Sequence, residues 1–182
     1  ENPATSSPGL AFMLATRAYF GDSFLDYWQS LKDNGVVVVD GWETAYYTNF
    51  SASSGQGSQP MVVSYASSPA AEVFFATEPP ADAPTASIVA SGMCFRQIEF
   101  VGILKNGQNR DLAEKFVDFM LSKQFQEDMP LNMFVYPVNQ SAQLPEVFTK
   151  YAEVASQPAD ISYDDIAANR DAWIETWAEV MK

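Results

Sequence analysis

An α/β fold with a mixed, mostly parallel sheet flanked by helices is what this sequence predicts. Three observations carry the prediction. Two copies of one pattern, Ser6-Ser7-Pro8 and Ser67-Ser68-Pro69, each open a helix-like stretch. Runs at Val36 to Val39, Met61 to Ala66 and Met93 to Leu104 have the apolar patterning of strands. Strands interleaved with helices pack as a largely parallel sheet with helices on its faces.

The elements follow in chain order. Serine at the N-cap with proline at the first helical position is a helix-start signal, so Gly9 to Phe20 reads as a buried helix. Phe24, Trp28 and Leu31 recur at helical spacing, which makes Asp22 to Lys32 a second, amphipathic helix. Asp33-Asn34-Gly35 is a turn, the four valines a strand, and Asp40-Gly41 a further turn. Trp42 to Phe50 looks helical, Ser51 to Gln59 reads as a flexible Ser/Gly-rich loop, and Met61 to Ala66 feeds the second Ser-Ser-Pro helix, Ala70 to Ala76.

Glu78 to Thr85 is an exposed Pro/Ala-rich connection, and Met93 to Leu104 a long strand ended by Asn106-Gly107. Asn109 caps a helix in which Leu112, Phe116, Phe119 and Met120 share one face. Met133 to Val138 is a short extended segment, and Leu144 to Ala155 is weakly helical. Ser162 and Asp165 form a capping arrangement for a last helix, whose packed side is Ile166, Trp173, Ile174, Trp177, Val180 and Met181.

Composition narrows the chemistry. The 182 residues are 47% hydrophobic and 14% aromatic, enough for a core. A net charge of −13 opposes nucleic acid and anionic lipid surfaces and mildly favours a cationic ligand. With no histidine and one cysteine, Cys94, the chain cannot build a Ser-His-Asp or Cys-His site or a zinc cluster of His and Cys. Cys94 reads as a buried thiol in a strand-like segment. The chain begins at Glu1 without an initiator methionine or signal segment, as a processed form or a piece of a longer chain would.

Two kinds of site fit. Helix starts expose unpaired N–H groups and a partial positive charge, which suit an anionic or acceptor group, although each start is individually an ordinary cap. Trp42 follows a turn, Tyr46 and Tyr47 follow it, and Tyr65 ends a strand before Ser67. Aromatic faces take flat heterocycles and cations, worth ~0.5–2 kcal/mol each. Trp28, Trp173 and Trp177 sit among aliphatics at helical spacing and belong to the core. Glu99, beside Gln97 in an apolar run, faces either a cleft or, the preferred reading, solvent. No partner for acid–base catalysis is specified.

With those residues in view, the sequence resembles the solute-binding proteins of ABC importers. Asn2-Pro3-Ala4-Thr5-Ser6-Ser7-Pro8-Gly9-Leu10-Ala11-Phe12 is similar to the start of their second lobe. Gly41-Trp42-Glu43-Thr44-Ala45-Tyr46 and Ser64-Tyr65-Ala66-Ser67-Ser68-Pro69-Ala70 resemble the thiamine-binding branch. Leu112 to Met120, Tyr136-Pro137-Val138 and Asn169-Arg170-Asp171-Ala172-Trp173 are similar to later segments of that branch.

The resemblance implies a type II periplasmic binding fold that closes on thiamine or its phosphates and delivers them to a membrane permease, without catalysis and without a cofactor. It implies a periplasmic or lipid-anchored extracellular location. Ser6 and Ser7 would face the ligand or its phosphate, Trp42 would pack on a ring of the cation, and Tyr65 and Ser68 would add an aromatic contact and a hydrogen bond. Phe134 falls where relatives can place a tryptophan against the thiazolium, and Ala71 where they can carry a stacking tyrosine, which admits a pyrimidine relative of thiamine as ligand.

Family members are longer, so the chain would be one lobe plus part of the other. Residues 1–93 would be the second-lobe α/β domain, 94–102 a hinge-type crossing strand, 103–138 elements that pack on the first lobe, and 139–182 helices returning to the second. The partners implied are a small-molecule ligand, a permease and the missing N-terminal lobe or another chain. Two other readings stay open: an enzyme of this fold acting on a pyrimidine precursor, and an inactive or dimerising fragment marked by an apolar patch around Phe116 and Phe119.

Overall fold

A computed structural model describes residues 1–52, 57–78 and 80–182. Part of the loop expected at 51–59 (residues 53–56) and Pro79 of the connection expected at 78–85 lie outside the described residues. In chain order the helices are α1 (Ser7–Phe20), α2 (Phe24–Asp33), α3 (Ser68–Phe75), α4 (Arg110–Met120), α5 (Lys123–Met133), α6 (Glu146–Tyr151) and α7 (Tyr163–Met181). The chain forms two compact units. The first takes Glu1–Tyr65, Ile88–Gln97 and Val154–Lys182; the second takes Ala66–Ser87 and Ile98–Glu153.

In the first unit, α2 packs on both α1 and α7. Helix α1 starts as its sequence requires: the Ser6 hydroxyl accepts from the Gly9 N–H at 3.4 Å, with Pro8 in the first turn. Gly9 has to be glycine, since a Cβ there would lie 2.6 Å from the Glu1 carbonyl oxygen. Trp28 is the hub of the core. Its ring meets Phe12 and Trp177 edge-on at 5.4 and 5.5 Å, among Met13, Leu14 and Phe24. Its indole N–H donates to Thr16 Oγ1 at 2.9 Å, and that hydroxyl donates to the Met13 carbonyl, so the polar handle of the buried ring is satisfied.

The long helix α7 is held at both ends. Ser162 Oγ accepts from the Asp164 and Asp165 N–H groups, and the two aspartates put negative charge in the first turn, where the helix dipole favours it. At the other end the Lys32 ammonium donates to the Val180 carbonyl at 2.8 Å. Replacing Ser162 by alanine is expected to cost about 0.5–2 kcal/mol, read as a lower denaturant midpoint with an unchanged slope.

The second unit pairs α3 with α6 and α4 with α5, and Phe148 of α6 is fully buried. Helix α5 is one that the sequence reading lacks. It starts on Ser122, whose hydroxyl accepts from the Phe125 N–H, and it continues through Pro130, which has no N–H to give. The buried Gln126 side chain secures it, donating to the Met120 carbonyl and accepting from the Val138 and Asn139 N–H groups.

Tyr136 lies edge-on to Phe148 at 5.5 Å. Burial, and then the charge of Glu153, push its phenol up to about 12. The raised value means that Tyr136 supports the fold fully below the ordinary tyrosine range near pH 10. That support is lost as pH rises through about 12. Alkaline unfolding followed by circular dichroism is expected to be less steep over that window in Tyr136→Phe.

The expected mostly parallel sheet does not form among the described residues. Val36 to Val39, Met61 to Tyr65 and Met93 to Leu104 run without a strand ladder, and the pairing present is an isolated parallel bridge between Phe50 and Gln59. Strand-type sequence becomes a strand only beside a neighbour that takes its N–H and C=O groups. The stretch expected to be helical over Trp42 to Phe50 is helical through residue 49, with Thr44–Asn49 in π-helical form. The extended segment expected at 133–138 opens on Met133, the last residue of α5. Among the described residues no helix is long and apolar enough to cross a membrane.

Candidate functional site

Each unit carries one aromatic face. In the first, the opening motif works as a clamp. The Asn2 N–H donates to the Val39 carbonyl and the Thr5 hydroxyl to the Asp40 carbonyl, both at 2.8 Å. This fixes the chain just before Gly41 and Trp42. The Trp42 ring stacks on Tyr46 at 4.8 Å and 23°, meets Tyr47 edge-on at 5.3 Å and lies tilted 6.0 Å from Tyr65. Its N–H donates to Ser64 Oγ at 2.9 Å, which sets the ring plane. Trp42 is half-buried, Tyr46 is buried, and Tyr47 and Tyr65 are exposed. Such a group of electron-rich rings can take a flat cationic heterocycle.

Ser6 and Ser7 part company. Ser6 is buried, and its hydroxyl donates to the Glu1 carboxylate at 2.6 Å while accepting from Gly9, so the chain itself satisfies it. Ser7 is exposed at the start of α1. Replacing Thr5 by valine removes the donor to Asp40 and is expected to loosen Trp42. Its indole emission shifts to longer wavelength and its quenching by acrylamide increases.

In the second unit Phe134 follows the last residue of α5 with φ of +53°, in the left-handed region, at a cap position where glycine is the usual occupant. A bulky residue there costs roughly 1–2 kcal/mol. Its half-buried ring stacks on Phe148 at 6.0 Å and 26° and touches Phe74 and Phe75 at 5.8 and 5.2 Å. Phe75 is 70% exposed. Ser68 is half-buried in the first turn of α3. Ser67, the N-cap residue of α3, makes no side-chain cap and donates its hydroxyl to the Phe134 carbonyl at 2.6 Å. Nothing in the local sequence marks Phe75 except its place beside Phe74 at the end of α3.

Cys94 is half-buried and not buried as expected; partial burial raises its pKa, and its thiol lies 3.8 Å from the Ile88 carbonyl. Glu99 and Gln97 are exposed. Among the described residues no group of three or more Cys, Asp or Glu could hold a metal ion.

Residues 2–156 match the family model of bacterial extracellular solute-binding proteins. The chain belongs to this family. Within it, the thiamine-binding periplasmic protein of Salmonella typhimurium is 33% identical over 177 residues, covering 97% of this chain and 51% of that protein. That of Escherichia coli is 32% identical with the same coverage, and that of Brucella suis 29% identical over 180 residues. A solved periplasmic thiamin-binding protein superimposes with a TM-score of 0.75 at 27% identity, over all of this chain and 54% of the other. This chain therefore spans about half the length of the solute-binding proteins it matches.

Proposed function

We propose that this protein is the ligand-capturing component of an ABC importer, working outside the cytoplasmic membrane, and that it binds thiamine or a thiamine phosphate without turning it over. The observation that carries the reading is the Trp42 face: a tryptophan set by Ser64, flanked by exposed tyrosines, in a chain whose relatives bind thiamine. Thiamine is a flat aromatic cation, matched to ring faces and to a chain of net charge −13. On the first unit's own face Trp42 and Tyr65 are the proposed ring contacts and Ser7 a polar contact; on the second unit's own face Phe134 is the proposed ring contact and Ser68 the polar one. Ser6 serves through its cap. Thiamine is expected to quench tryptophan emission saturably, and Trp42→Ala to weaken binding roughly 2- to 30-fold. Equal affinity in Trp42→Ala would sink this site.

The partner reading extends the same proposal. Along the second unit Phe100 is 89% and Leu104 82% exposed, and Leu112, Phe116 and Phe119 of α4 are exposed as well. Large apolar side chains exposed in this number support an interaction surface here. Its proposed occupant is a polypeptide carrying the remaining half of the relatives' length, supported by their twofold greater extent. An apolar-surface dye should bind this chain and be displaced by that half, and Phe116→Ser with Phe119→Ser should abolish dye binding. A dye that stays bound in the presence of the other half would contradict the assignment.

A further inference from the structure

We propose that Ser67 is a positioning residue for Phe134. Its hydroxyl donates to the Phe134 carbonyl at 2.6 Å and holds that residue in the left-handed cap of α5, its ring on Phe148 and beside the exposed Phe75. Three observations converge. Ser67 is 4% exposed, so its hydroxyl must find its acceptor within the protein. It sits at the N-cap of α3 yet makes no cap, so its hydrogen bond serves something other than the helix start. The group it bonds belongs to the non-glycine residue with positive φ among the described residues. A left-handed phenylalanine persists only where its surroundings hold it: the Ser67 hydroxyl takes the Phe134 carbonyl, the Pro130 carbonyl takes its N–H at 3.1 Å, and Phe148 stacks on its ring.

What the hold provides is a fixed ring edge. Phe134 and Phe75, 5.2 Å apart and tilted by 44°, form a two-ring face able to take one flat cationic ring. Phe75 thereby joins Phe134 as a ring contact. The ligand consequence rests on the thiamine-binding reading above; the positioning itself does not.

The test compares Ser67→Thr with Ser67→Val, which have the same shape and differ in the hydroxyl, alongside Ser67→Ala. The first readout is the φ of Phe134, from its HN–Hα coupling and Cα shift by NMR. Thr is expected to keep the wild-type values, whereas Val and Ala move them out of the left-handed region. The second readout is thiamine affinity. Ser67→Val should weaken it roughly 2- to 30-fold, as far as Phe134→Ala does, with no further loss in the double variant. Unchanged Phe134 parameters in Val and Ala overturn the proposal, as does equal displacement in Thr and Val. Wild-type protein that leaves thiamine unbound overturns the binding reading instead, while the NMR comparison still decides the role of Ser67.

Discussion

Replacing Trp28 by alanine is expected to destabilise the first unit by about 3–5 kcal/mol, the range for removing a large buried aromatic. Three losses combine. The ring contacts to Phe12 and Trp177 vanish, the space among Met13, Leu14 and Phe24 is left unfilled, and Thr16 loses its donor. Since domains are stable by only about 5–15 kcal/mol, the variant should sit near its unfolding threshold. Amide exchange in α1, α2 and α7 should accelerate accordingly. Trp28→Phe keeps most of the packing and gives up the N–H bond to Thr16, so a smaller loss, about 1–2 kcal/mol, is expected. Equal losses in the two variants would show that the hydrogen bond, and not the ring volume, dominates at Trp28.

Phe148→Ala is the counterpart in the second unit, again with about 3–5 kcal/mol expected. Phe148 is fully buried and supports two rings, Phe134 stacked on it and Tyr136 at its edge. Its removal should act beyond stability. Without the stack, Phe134 loses one of the contacts that hold its ring, and Tyr136 loses part of the burial that raises its phenol pKa. The tyrosine step near pH 12 in an absorbance titration should therefore move down in Phe148→Ala. Phe148→Leu, which refills part of the volume, should recover stability more than it recovers the position of Phe134.

Much of this was legible in local sequence, and the reason is physical. Ser6-Ser7-Pro8 and Ser162 define helix starts by chemistry that acts within three residues, and α1 and α7 begin there. Trp28 and Trp177 declared themselves by helical spacing and are both buried. Trp42, Tyr46 and Tyr47 are close in sequence, so their cluster was readable without a fold.

Features that depend on distant partners were not readable. The valine run looks like a strand, but three of its four residues, Val36, Val37 and Val38, are exposed, and among the described residues no ladder receives them. Helix α5 was hidden by Pro130, whose cost is met by Gln126 reaching residues 120, 138 and 139. Ser67 carries the same motif as Ser6, yet one hydroxyl caps its helix while the other crosses 67 residues to Phe134. Motif identity fixed where the helix starts and left the use of the side chain open.

Titration of tryptophan emission with thiamine, corrected for absorbance by the ligand, tests the central claim most directly. It should be run on this chain and on a chain joined to the other half of the relatives' length. The account predicts a saturable change that Trp42→Phe abolishes, because Trp42 is half-buried with its N–H fixed on Ser64, whereas Trp28 and Trp177 are enclosed in the core and the partly buried Trp173 packs against it. A flat titration in both forms, or one that Trp42→Phe leaves intact, would contradict it.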